Sequence, residues 1–290
     1  MKNLSSASSP LALPVLAVIE GGGPPVNQMT RIRTVWGLSL SVAVAAAMAV
    51  PLAQTAPAMV GGAPPATGEA VRQVVLIVGS RGTSCTGTAI AQDLVLTAAH
   101  CAMPDAIYKI VVFDAAHNAT LKDVARAVQH PQFDLKTMLG HRATADVALL
   151  KLAEPLPPSL RPAPLGETRM IAAGDRFIVA GYGVTVRGDG RTGGTLRTAA
   201  LIATGKPGTL QLRLVDPSTG GTRPGLSACT ADSGAPAFVE TNGRLAVIGV
   251  TSWSTGPNMT AGCGGLTGIT PLARYRDWIK ETARAMGETP

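Results

Sequence analysis

Three short segments carry residues that could do chemistry together. Leu96-Thr97-Ala98-Ala99-His100-Cys101 ends a strand-like run on a histidine. Ala145-Asp146-Val147-Ala148-Leu149-Leu150-Lys151-Leu152 sets an acid just before an apolar run, and Cys229-Thr230-Ala231-Asp232-Ser233-Gly234-Ala235-Pro236 holds a serine in a tight turn of small residues. A serine hydroxyl is a poor nucleophile until a neighbouring base removes its proton, and imidazole titrates near neutral pH. A carboxylate beside the imidazole fixes its tautomer and stabilises the imidazolium. Taken singly, each segment has an ordinary reading: a histidine beside a structural cysteine, an aspartate at a turn, a serine in a loop. Together, in the order His100, Asp146, Ser233, they read as one nucleophilic constellation.

Such residues need rigid elements to hold them. Apolar, β-branched runs recur at Val74–Val78, Leu94–Thr97, Ile110–Phe113, Val147–Leu152, Phe177–Ala180, Leu210–Leu214 and Leu245–Val250. Turn clusters such as Val186-Arg187-Gly188-Asp189-Gly190 separate them, and the 33 Gly and 22 Pro supply many more turns. Many short punctuated strands predict an all-β sandwich or a pair of barrels. Tyr275, Trp278, Ile279 and Ala283 recur at three- and four-residue steps, which predicts a C-terminal amphipathic α-helix over 273–286. The Pro-rich stretch from Glu154 to Pro162 is the expected connection between two halves, because proline cannot donate to a central sheet ladder.

The chain has 290 residues and a net charge of +7, with basic residues scattered and no run of four or more Lys/Arg, so a nucleic-acid surface has no support. Arg31 and Arg33 precede an apolar stretch from Val35 to Val50 that ends at Pro51. That stretch is short against the ~20 residues of a spanning helix, and it reads as the h-region of a signal peptide. Ala56-Pro57-Ala58 offers small residues for cleavage after Ala58, giving a mature chain from Met59. Residues 1–28 read as an upstream extension or mis-assigned start ahead of Met29, with an unusually long leader as the alternative. Four cysteines, Cys85, Cys101, Cys229 and Cys263, behind an export signal predict two disulfides, with three pairings open.

The three segments resemble those of the chymotrypsin/trypsin-like serine endopeptidases, in their bacterial secreted branch. Met59-Val60-Gly61-Gly62 is similar to the family's mature N-terminus, Gly181-Tyr182-Gly183 to its Gly-Trp-Gly turn, Ser252-Trp253 to its substrate-binding strand, and Tyr275-Arg276-Asp277-Trp278-Ile279 to its last helix. His130-Pro131 matches a His-Pro ahead of the aspartate loop, which makes His130 structural; His117 and His141 match no motif and are expected to be exposed. The resemblance implies two six-stranded antiparallel β-barrels over residues 59–290, the first at about 59–160 and the second at about 161–272.

The resemblance also implies roles. Cys85 would pair with Cys101 and Cys229 with Cys263. His100 would be general base and then general acid, Asp146 its orienting partner and Ser233 the nucleophile. The backbone N–H groups of Ala231 and Ser233 would form an oxyanion hole, although position 231 is normally glycine. Alanine there is strained if the turn needs φ > 0, so the hole is either misformed at rest or accommodated by a small shift. Asp232 would bind the α-amino group of Met59 once the chain is cut, so that export itself switches the protein on. Ser227, at the floor of the substrate pocket, lacks the charge a trypsin uses; Ser252 and Trp253 line it, and Ser254 and Thr267 would narrow its walls. That predicts small or medium apolar P1 residues.

No cofactor or metal is expected: the calcium-loop region near Asp114–Asp123 lacks a matching pair of glutamates. Asn118-Ala119-Thr120 and Asn258-Met259-Thr260 fit the glycosylation pattern, which matters only in a eukaryotic secretory host. The expected partners are polypeptide substrates of a secreted or periplasmic monomer without stable membrane association. The alternatives are a catalytically silent binding protein on the same scaffold, which Ala231 motivates, and a membrane-tethered protease that keeps Val35–Val50.

Overall fold

The computed structural model describes residues 59–114, 116–140 and 142–290. The expectations for residues 1–28, the signal peptide at 29–58, the cleavage point after Ala58 and His141 lie outside them. Among the described residues, twelve strands close into two six-stranded antiparallel barrels. The first comprises β1 (Val74–Gly79), β2 (Ser84–Ala91), β3 (Leu94–Thr97), β4 (Tyr108–Phe113), β5 (Ala119–Gln129) and β6 (Ala148–Leu152), in the order β1-β2-β3-β6-β5-β4. The second repeats that order with β7 (Arg176–Gly181), β8 (Arg197–Ala203), β9 (Leu212–Val215), β10 (Pro236–Thr241), β11 (Arg244–Ser254) and β12 (Thr267–Pro271). Closure removes the open strand edges that would otherwise invite pairing with another chain.

Each barrel is filled by the inward residues of its strands. Val75, Ile77, Val95, Ile110, Ala148 and Leu150 fill the first; Phe177, Val179, Leu201, Leu212, Leu214 and Ile269 fill the second. Fully burying one such side chain contributes about 1.5–3 kcal/mol. A third cluster joins the barrels: Leu94, Leu96 and Leu149 of the first meet Phe238, Val247 and Val250 of the second. The C-terminal helix (Arg276–Ala285) caps this seam with the fully buried Ile279 and Ala283, one helical turn apart. Its start differs slightly from expectation, because Leu272–Arg274 forms a 3-10 turn first.

One boundary needs correction. The first barrel's strands begin at Val74, and the segment from Met59 to Ala66 docks on the second barrel instead. Val60 bridges Ser227 and Pro65 bridges Arg197, while Met59 and Ala63 are buried among Phe177, Leu214 and Ala228. The Met59–Ala66 segment therefore lies beside the serine-bearing half of the fold.

Candidate active site

The site forms where the two barrels meet. Val95 and Leu96 anchor β3 in buried surroundings, and the chain then turns through a short 3-10 segment, Ala99–Cys101, that carries His100 out to partial exposure. The Cys85–Cys101 disulfide ties that turn back to β2. Asp146 precedes β6 and is completely buried. Its Oδ1 accepts from the His100 backbone N–H at 3.0 Å, and its Oδ2 accepts from His100 Nδ1 at 2.8 Å. The Ser252 hydroxyl donates to the same Oδ2 at 2.5 Å. A carboxylate can only accept, so the hydrogen of this bond belongs to Nδ1, and a ring carrying that one hydrogen has its lone pair on Nε2. Ser252 reaches Asp146 because the β11–β12 ladder bulges there: Thr251 pairs Ile269 and Trp253 pairs Gly268, leaving Ser252 as the extra residue.

The serine turn belongs to the second barrel, and Cys229–Cys263 closes it onto the segment ahead of β12. Ser233 is partly exposed, and its carbonyl accepts from Thr86 N–H at 2.8 Å. Gly234 N–H donates to Thr251 O at 2.7 Å. Ala231 has φ 73°, so the turn does require the left-handed conformation at this alanine. Its carbonyl accepts from the Thr86 hydroxyl at 2.9 Å.

Asp232 is fully buried and accepts from Gly183 N–H at 2.8 Å and Cys229 N–H at 2.9 Å. Loss of solvation outweighs these two donors and pushes its carboxyl up to about 7. The glycines of Gly181-Tyr182-Gly183 make room for it. A Cβ on Gly181 would lie 2.1 Å from Asp232 Oδ1, and one on Gly183 would lie 2.2 Å from Oδ2.

Of the expected pocket residues, Ser227 is fully buried: its hydroxyl donates to Ala228 O at 2.9 Å and accepts from Gly264 N–H at 2.6 Å. Thr267 is also fully buried, and its Oγ1 accepts from Ala228 N–H at 2.9 Å. Its hydroxyl is thus engaged with the backbone beside Ser227. Ser254 lies opposite Thr267 in the ladder and is partly exposed. Trp253 packs over Gly268, where a Cβ would approach the indole to 2.0 Å.

Among the described residues, one grouping has metal-ligand spacing, Cys85, His100 and Cys101, but its two sulfurs are joined in the disulfide and offer no thiolate. His130 stacks edgewise on Tyr275 and Trp278, and its Nδ1 accepts from Gln132 N–H at 3.1 Å, which is a packing role. Burial lowers its pKa. His117 is exposed. Sequence reasoning missed two residues that shape the site. Thr86 is buried in β2, and nothing in its local sequence marks it. Asp216 accepts from Ser218 N–H at 2.8 Å and Leu226 N–H at 2.9 Å, which orders the approach to Ser227; the turn-forming Asp216-Pro217-Ser218 could have signalled it.

Comparison with known proteins agrees with this geometry. The family model described as Trypsin matches residues 59–279. Serine protease 56 of Homo sapiens is 31% identical over 221 residues, which are 69% of this chain and 35% of that protein. Transmembrane protease serine 9 of Rattus norvegicus is 30% identical over 243 residues, 78% of this chain and 22% of that protein. Chymotrypsin-like elastase family member 1 of Homo sapiens is 30% identical over 223 residues, 69% of this chain and 81% of that protein. The chain thus spans 35% and 22% of the length of the first two and most of the third. Its closed twin barrels and the match over nearly all of the described residues lead to one assignment: the chain belongs to the trypsin family.

Proposed function

We propose that this protein is a secreted or periplasmic serine endopeptidase that hydrolyses peptide bonds through an acyl-enzyme. The observation that carries this reading is the buried Asp146 carboxylate, held by two donors of His100 and by Ser252, which leaves Nε2 of His100 as the available base. In the first step Nε2 takes the Ser233 hydroxyl proton as Oγ bonds to the substrate carbonyl carbon. The imidazolium, stabilised by Asp146, then gives that proton to the leaving amine as the C–N bond breaks. Water repeats the sequence and releases the acid. The N–H groups of Ala231 and Ser233 would stabilise the oxyanion, each donor contributing about 3 kcal/mol in comparable sites.

The proposed substrates are polypeptides with Ala, Val or Leu at P1. Ser227 supports this because a neutral hydroxyl, its proton already given to Ala228 O, stands at the position implied for the pocket floor, so that residue brings no carboxylate to pair with Lys or Arg. The three relatives are animal proteins, and the bacterial branch rests on the motif resemblance alone. Cleavage of a peptide library tests the reading: products after Ala, Val or Leu, absent with Ser233→Ala, are expected, and preference for Arg or Lys would overturn the pocket assignment. The strained Ala231 favours one rival, a catalytically silent binding protein, for which no Ser233-dependent cleavage would appear.

A further inference from the structure

We infer that Thr86 is a positioning residue for the proposed oxyanion hole: its buried hydroxyl clamps the Ala231 carbonyl and holds an alanine in the left-handed conformation that the serine turn demands. The inference rests on the catalytic reading above. An L-residue at φ 73° is strained, so rotations of the peptides flanking Ala231 would relieve it and turn the proposed donors away. Something must oppose that relaxation. Thr86 grips the turn at both ends, its Oγ1 donating to Ala231 O at 2.9 Å and its N–H donating to Ser233 O at 2.8 Å. The Ser233 amide lies between those two carbonyls, and the Ala231 amide lies just before the first, in a peptide whose own carbonyl, Thr230 O, accepts from Val184 N–H at 2.9 Å.

The clamp is itself held. Thr86 is fully buried, and Thr97 Oγ1 donates to its carbonyl at 2.8 Å. Its neighbour Cys85 is cross-linked to the histidine turn. Tyr182 N–H donates to Thr86 Oγ1 at 3.1 Å, so one lone pair is occupied and the single hydroxyl proton is directed at Ala231. One hydroxyl therefore couples the turn after β7, the histidine-bearing barrel and the strained residue.

Thr86→Val keeps the shape and deletes the hydroxyl, and Ala231→Gly removes the strain, so a double-mutant cycle on the full chain separates clamping from simple packing. Thr86→Val is expected to lower kcat about tenfold, with KM changed by less than about twofold, because the donors act on charge that appears only in the transition state. Thr86→Ser should recover most of the loss. In the Ala231→Gly background the same Thr86→Val change should cost about threefold or less. Equal losses in both backgrounds, a loss confined to KM, or no recovery with serine would overturn the inference. Wild-type protein without Ser233-dependent hydrolysis would instead refute the catalytic reading. The clamp is then read from thermal midpoints, where Thr86→Val should destabilise the chain that keeps Ala231 more than the Ala231→Gly chain, and equal destabilisation would overturn it.

Discussion

Asp232 gives the chain a pH dependence whose sign reports whether the bond before Met59 is intact. With that bond intact there is no α-ammonium at Met59, and burial pushes the Asp232 carboxyl from 3.8 up to about 7 despite its two amide donors. Between those values the folded chain holds a proton that the unfolded chain has released. Stability is therefore fully present below the unfolded pKa and is lost as pH rises through the folded one. At about 1.4 kcal/mol per pKa unit, this group removes up to about 4 kcal/mol between acid and neutral pH. Cutting before Met59 creates an ammonium on a residue already buried in the second barrel, and the ion pair with Asp232 that the family resemblance implies would draw the carboxyl below its ordinary value. The sign then reverses, with stability present above the ordinary carboxylate range and lost on acidification. Urea unfolding across about pH 4.5–8 tests this on two Ser233→Ala chains, one retaining the upstream residues and one starting at Met59. Equal slopes of the same sign in both would refute the reasoning.

Two further outcomes concern the supports of the site. Gly183→Ala drives a methyl to 2.2 Å from a buried Asp232 oxygen and should destabilise the fold by about 3 kcal/mol, whereas Gly190→Ala, with nothing within 4 Å, should stay within about 0.5 kcal/mol; thermal melts compare them. Ser252→Ala removes one donor to Asp146 and should lower kcat about tenfold with little change in KM, measured by steady-state hydrolysis.

The sequence displayed the strands whose apolar runs are unbroken. Leu94–Thr97 is a strand at those same bounds, and all four of its residues are buried. It concealed β2, because Ser84–Ala91 is built of small residues: Gly87 is required where a Cβ would come within 2.6 Å of Val95. It also concealed β5, whose apolar residues are interrupted by Lys122, Asp123 and Arg126 and none of whose residues is fully buried. In the site, His100 and Asp146 were legible because residue type and order define their chemistry, and the structure joins them by two hydrogen bonds. Thr86 was not legible, since a threonine in a strand has many packing roles and its partners at Ala231 and Tyr182 come from distant segments. The strain at Ala231 could be stated only conditionally until the backbone gave φ 73°. The implied link between Met59 and Asp232 pointed toward the second barrel, but the bridges of Val60 to Ser227 and of Pro65 to Arg197 carried no signal in the sequence.

The central claim is that Ser233 is a nucleophile activated by His100, and a fluorophosphonate probe tests it most directly by phosphonylating such a serine. Mass spectrometry of the processed protein should find one adduct, located on Ser233 and absent after Ser233→Ala, with labelling slowed by about 10⁴-fold or more in His100→Ala. Protein that stays unlabelled, or that carries the adduct elsewhere, would contradict it.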